Sequence, residues 1–271
     1  MTFSSMGDIL TEQLKEVDDL CNVHQVNKVT AFGREPVCLE CAKELIEQEN
    51  RDLENKLTQR HLKSTSYDWL RKRSILLDNT LKDATFDGFE TMDNETKRNK
   101  EKALEIARKY YKGGTFNTIL SGKAGTGKSH LAMSMLKVIN EHSEPYRKCL
   151  FVSIDEVMRL IRESFGNRQD DFTEQKLIRL MVDADLLVID DLGAESGAVG
   201  SEKQATDFIT RTLYAIINGR MDKSTIITTN LSSKQMAQMY DSKLVSRMMK
   251  GAKGHILTFN ETNDKRMEIE F

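Results

Sequence analysis

Proline is almost missing from this chain, at 2 of 271 residues, and no repeat or low-complexity tract interrupts it. With charged residues at 30%, the sequence reads as helix-rich, soluble and ordered. No stretch approaches the roughly 20 apolar residues of a membrane span, so no membrane-spanning helix is expected. A secretory leader is not in evidence either: "MTFSSMGDILTEQLKEVDDL" has acidic residues where a signal peptide carries a basic start and a long apolar run. A cytoplasmic location is expected. Cysteine is scarce, at 4, and a disulfide framework is not expected without export. Neither sign of charge dominates, the net value being -2.

What is present is unevenly spread. Residues 1–62 hold 7 Lys/Arg against 12 Asp/Glu, and the remainder holds 33 against 30. An acidic head suits protein binding better than nucleic-acid binding. Hydrophobic residues, at 39%, suffice for one medium α/β domain with a core and something smaller. The expected division is 1–62, a metal-binding head with a helical arm; 63–83, a linker; and 84–271, the main domain.

Three cysteines fall in "CNVHQVNKVTAFGREPVCLEC", spaced Cys21-x2-His24 and Cys38-x2-Cys41. Such pairs can each bend round one side of a tetrahedral Zn²⁺, with a hairpin between them that turns near Gly33 and Pro36. Four protein ligands leave no open position for water, so the zinc would be structural and would supply folding energy. Ordinary buried thiols are the alternative. Cys149 is expected to be a core thiol and His61 a surface residue. Leu45, Ile46, Leu53 and Leu57 have the spacing of an amphipathic arm helix.

In the main domain, the strand "TFNTIL" runs into "SGKAGTG" and then into a helix from "KSHLA". Gly122, Gly127, Lys128 and Ser129 fit G-x4-G-K-[ST]. Glycines let backbone N–H groups wrap phosphates, Lys128 neutralises the β- and γ-phosphates, and Ser129 ligates Mg²⁺. "ADLLVIDDLG" is an apolar strand ending in Asp190, which would hold Mg²⁺ through water, and Asp191, placed to polarise an attacking water. "STIITTN" ends in Asn230, whose amide could orient water near the γ-phosphate. Strands are expected at 116–120, 149–153, 186–190, 225–229 and 255–259, alternating with helices, one of them over 203–220. This order predicts a five-stranded parallel sheet between helices, with nucleotide at the strands' carboxyl ends.

Together these residues resemble an AAA+ P-loop ATPase, and more narrowly the helicase loaders of DnaC/DnaI type, with IstB-type transposition helper ATPases as close relatives. The resemblance covers about residues 80–271. It implies ATP or ADP with Mg²⁺ as cofactors. It places Phe86 of "ATFDGF" near adenine and adds Gly125, Thr126 and His130 to the nucleotide contacts. In "LVSRMMKGA" it points to Arg247 as an arginine finger acting on a neighbouring copy, with Arg220 as a second candidate; the plain alternative is a helix-surface arginine. A head with a zinc ion resembles that of DnaI-type loaders, where it docks on the replicative hexameric helicase. No C-terminal lid is expected, and Lys265 and Arg266 are given no sensor role.

The family resemblance thus implies ATP-dependent loading of a replicative DNA helicase onto single-stranded DNA, in a bacterium or an infected host. Asp190-Asp191 stands where many AAA+ enzymes have Asp-Glu, which implies slow hydrolysis, stimulated by partner or DNA. Two rivals remain: a transposition helper acting on duplex DNA, and a non-hydrolysing adaptor or inhibitor that binds a helicase. Between the second and third strands, Arg159, Arg162, Phe165 and Arg168 could track single-stranded DNA, or their helices could simply cover the sheet. Residues 155–171 hold 5 acids against 3 arginines, and 97–112 hold 7 Lys/Arg against 2 Glu, a pattern that also suits a solvated face.

Overall fold

A computed structural model describes residues 14–31, 33–166, 171–196 and 205–264. Arg168, Lys265 and Arg266 lie outside the described residues. The chain divides into two compact units, residues 1–62 and 63–271.

The first unit is a hairpin followed by a helix. Strand β1 (Lys15–Leu20) pairs antiparallel with β2 (Asn27–Thr30), and Val37 returns to bridge Val29. The return turn contains Gly33 at φ 70°, as the sequence led one to expect. The hairpin before it, which turns through Cys21 to Val26, was not expected, because "KEVDDL" is polar and almost wholly exposed. Helix α1 (Leu39–Arg73) then runs for 35 residues, about 52 Å at 1.5 Å per residue. Its residues Leu45, Ile46, Leu53 and Leu57 are exposed.

Residues 63–83, expected to be a linker, instead belong to the second unit. Apolar anchors are the reason. Trp69, on the last turns of α1, is buried in the core. Ile75 then forms a parallel bridge with Val152, donating its N–H to Phe151 O (2.9 Å) and accepting from Ser153 N (2.8 Å). That bridge partly covers the edge of the sheet, where unpaired backbone groups would otherwise face water.

The rest alternates strand and helix: α2 (Asn94–Tyr111), β3 (Thr118–Gly122), α3 (Lys128–His142), β4 (Cys149–Ser153), α4 (Ile154–Glu163), α5 (Glu174–Asp183) and β5 (Leu186–Leu192). There follow α6 (Asp207–Asn218), β6 (Ser224–Thr229), α7 (Ser233–Met239), α8 (Ser242–Met248) and β7 (Ile256–Phe259). The five strands β3 to β7 form one parallel sheet in the order β4-β5-β6-β3-β7. Every expected strand is present, shifted by no more than two residues at either end.

Strands β3 to β6 are buried on both faces, as parallel strands require, whereas the edge strand β7 buries Leu257 and Phe259 and leaves Thr258 exposed. Along β5, Leu187 and Ile189 join the layer under α4, α5, α6 and α8, while Leu186 and Val188 join the layer under α2 and α3. Cys149 is a buried core thiol whose pKa burial pushes up, so it is an inert packing residue. Parallel order carries the carboxyl ends of β3, β5 and β6 to one edge. There the sequence has placed its loop, its paired aspartates and Asn230.

Candidate nucleotide site and metal centre

Helix α3 begins without a side-chain cap. Its N-cap residue, Gly127, has φ 92°, and a Cβ there would lie 2.6 Å from the Phe89 ring. Only glycine fits, and the loop's N–H groups and the helix dipole are left to face a ligand. Gly122 ends β3, Thr126 is buried with its hydroxyl donating to Lys123 O (3.0 Å), and buried Lys128 donates Nζ–H to Lys123 O (2.5 Å). The loop therefore folds around its own lysine.

Opposite it, β5 carries Asp190, almost fully buried. Its Oδ1 accepts from the Thr228 hydroxyl (2.6 Å) on β6, and the Ser129 hydroxyl also hydrogen-bonds its side chain. The two expected magnesium ligands, Ser129 and Asp190, are thus brought together. Burial and the charge of Asp191 push the Asp190 carboxyl up to about 6, against the pull of Thr228, Ser129 and Lys128. A divalent cation is the group that would reverse that balance. The donor set, two oxygens beside a phosphate-gripping loop, fits Mg²⁺.

Asp191 follows at φ 55°, where the pairing of β5 with β6 is irregular, and its N–H donates to Thr228 Oγ1 (2.9 Å). A non-glycine residue at positive φ costs energy, and such strain gathers at working sites. At the end of β6, Asn230 has a buried Oδ1 with no hydrogen-bond partner. A buried acceptor left open at the carboxyl end of the sheet suits a water or a ligand that donates to it.

Two residues, Phe86 and Arg220, stand elsewhere than expected. Phe86 is buried in the core, and the ring that meets the loop is Phe89, edge-on to His130 at 5.5 Å between centroids. Two phenylalanines three positions apart in "ATFDGF" gave no means of choosing between them. His130 itself hydrogen-bonds Thr85 O through Nε2 (2.8 Å), tying the entry segment to α3. Arg220 is not free to act as a finger. Its guanidinium is buried and donates to the carbonyls of Met181 (2.6 Å), Ala184 (2.6 Å) and Ser224 (2.6 Å) and to Thr225 Oγ1 (3.1 Å). Burial lowers its pKa to about 10, and its work is to satisfy backbone carbonyls at the end of α5 and the start of β6.

Arg247 lies at the other end of the sheet from the loop. Its carbonyl accepts from Asn117 Nδ2 (3.2 Å), just before β3, and its guanidinium stacks on Tyr214 at 4.6 Å from the ring centre. The five residues of β3, about 16 Å, separate it from its own phosphate loop.

Of the residues considered for DNA, Arg159 is engaged by Glu156 (2.6 Å) and Glu163 on its own helix, while Arg162 is exposed. Phe165 is exposed and edge-on to Phe208 at 5.7 Å. On α2, Lys100 and Lys102 donate to Phe89 O (3.3 Å) and Ile256 O (2.6 Å), so part of that basic helix is structural.

In the first unit the four expected ligands converge. Their donor atoms all lie within 4.8 Å of one another. Cys21 Sγ is 3.5 Å from Cys41 Sγ, and His24 Nδ1 is 3.9, 3.7 and 3.3 Å from the sulfurs of Cys21, Cys38 and Cys41. With Zn–S about 2.3 Å and Zn–N about 2.0 Å, a tetrahedron has edges of roughly 3.5–3.8 Å. The spacing fits zinc, whereas 3.5 Å between sulfurs is far beyond a disulfide's ~2.05 Å. Hydrogen bonds from the His24 and Val23 backbones and from the His24 ring draw the Cys21 thiol down to about 6. His24 turns its other nitrogen to Glu44 Oε1 (3.2 Å), a carboxylate that fixes the ring for ligation. Glu44, one turn beyond Cys41 on α1, was not singled out from the sequence.

The chain is similar to known proteins. The chain is 26% identical over 152 residues to the replicative helicase loader DnaC of Escherichia coli K12, an overlap of 55% of this chain and 58% of DnaC. It therefore spans little more than half the length of that relative. Among solved structures, the crystal structure of the DnaC helicase loader superposes with a TM-score of 0.52 at 22% identity, over 67% of this chain and 99% of that one. That of DnaI superposes with a TM-score of 0.52 at 18% identity, over 70% and 96%. These likenesses agree in the AAA+ fold. The model of the family described as IstB-like ATP binding protein matches residues 41–261, and the chain belongs to that family.

Proposed function

We propose that this chain is an ATP-dependent loader of a replicative DNA helicase onto single-stranded DNA. The observation that carries the reading is the pairing, in one chain similar to DnaC, of a phosphate loop facing Asp190 with a Cys/His head that could hold zinc. Residues 1–62 would hold the helicase, with the exposed leucines of α1 available to a partner. The second unit would bind ATP and assemble around it. Lys128 neutralises phosphate charge, Ser129 and Asp190 hold Mg²⁺, Asp191 polarises the attacking water, and Asn230 orients it. The shorter Asp191 makes hydrolysis slow. Arg247 would complete the site of a neighbouring copy. The energy of ATP then resets a protein assembly in the cytoplasm, since ATP favours the gripping state over the released one.

Membership of the IstB-like family supports one other reading, the transposition helper acting on duplex DNA that the sequence resemblance raised. ATPase activity and partner binding separate the two. A loader binds the hexameric helicase, places it on single-stranded DNA, and loses both nucleotide dependence and loading with Lys128→Ala. Stimulation by duplex DNA without helicase binding would replace the loader reading with the transposition one.

A further inference from the structure

The segment after β7 is pinned by a residue from the far side of the sequence. Glu95, buried in the first turn of α2, accepts the N–H groups of Asn260 (2.9 Å), Glu261 (3.0 Å) and Thr262 (2.8 Å) and the hydroxyl of Thr262 (2.6 Å). Burial alone would raise its pKa, but these four donors outweigh it and hold the carboxyl below the ordinary glutamate value. Asn99, one turn further along α2, fixes the strand itself by donating to Thr258 O (2.8 Å). The chain is thereby led back across the site.

Two residues on, the Asp264 carboxylate lies on the phosphate loop. A Cβ built on Gly125 would sit 1.7 Å from Asp264 Oδ1, 2.2 Å from Cγ and 2.7 Å from Oδ2. Gly125 has φ 70°, so backbone conformation and the approach of Asp264 both require glycine there. A loop built to hold anions, at the start of a 15-residue helix, attracts a carboxylate for the same reason it attracts a phosphate. Once a triphosphate is bound, that carboxylate becomes a like charge at close range.

We propose that Asp264 is an internal competitor for the phosphate loop: docked, it holds nucleotide phosphates off, and nucleotide binding drives it away. Glu95 is the positioning residue that sets how often it docks. The inference rests on the nucleotide-site reading and adds a control on affinity that the loop itself does not carry.

The test is calorimetric titration of the full chain and its Asp264→Asn, Glu95→Gln and Lys128→Ala variants with ADP, inorganic pyrophosphate and adenosine, the fold of each being checked by melting temperature. If Asp264 is docked nine-tenths of the time, the apparent affinity is lowered about tenfold. Asp264→Asn is expected to bind ADP and pyrophosphate about tenfold tighter and adenosine no differently, with a smaller gain in Glu95→Gln. Equal or weaker binding of ADP by a folded Asp264→Asn overturns the proposal, and weaker binding would make Asp264 a residue that holds nucleotide. Failure of the underlying reading looks different: the parent chain would bind no ADP, or Lys128→Ala would bind it as well as the parent.

Discussion

In the first unit only Cys21, Val29 and Cys38 are buried among the described residues, and two of these are candidate metal ligands. In the second, two apolar layers enclose both faces of a five-stranded sheet. Small folds without a core need another source of stability, and a structural zinc ion provides one of about 10 kcal/mol or more. The difference teaches where each unit is vulnerable: the head to whatever disturbs its four Cys and His side chains, the body to whatever opens its packing or leaves a buried polar group unpaired.

The largest expected effect separates the two directly. Removing metal with a strong chelator, or changing Cys38 to Ser, should unfold the hairpin of the head while the body's melting transition stays where it was. Proteolysis that releases an intact body and digests residues before α1 would register this. Next is Arg220→Ala, which strands the carbonyls of Met181, Ala184 and Ser224 inside the body. A loss of about 3 kcal/mol is expected, read as a lower denaturation midpoint with metal content unchanged.

Glu95→Gln should cost about 1 kcal/mol near neutral pH. Because the Glu95 carboxyl is held below its unfolded value, its contribution is present above about pH 4.3 and is lost as the pH falls through the lower folded value. The gap in melting temperature between the parent and Glu95→Gln should therefore narrow under acid; a gap that widened would contradict the hydrogen-bonding account. The smallest effect on stability is expected for Asp191→Asn, since asparagine accepts φ 55° readily. Stability should stay within about 0.5 kcal/mol, whereas hydrolysis should fall about a hundredfold if Asp191 polarises the attacking water.

The elements legible in the sequence are those whose signal is local. The loop, its helix, the apolar strand before Asp190 and the two Cys/His pairs each lie within a short stretch, and each is present. What stayed hidden depends on distant partners. Trp69 and Ile75 turn an apparent linker into part of the body only because β4 offers them a core and an edge. The polar β1 gives no alternating pattern to read. Glu95 and Thr262 meet across 167 residues, and nothing near either announces the other. Arg220 and Arg247 are the same residue type on neighbouring elements, and only burial separates the one that satisfies backbone carbonyls from the one that stacks on Tyr214.

On the proposed function, labour is divided: the head, built round a metal, would recruit the helicase, and the body would switch with its nucleotide. Mass photometry of the full chain mixed with its host's replicative helicase, in ATP and in ADP, tests that division most directly when run beside Cys38→Ser and Lys128→Ala. The account predicts that Cys38→Ser abolishes the complex in both nucleotides. It also predicts that Lys128→Ala keeps the complex but erases the difference between ATP and ADP. A complex that survives loss of the head's metal site, or one whose composition never changes with nucleotide in the parent chain, would contradict it.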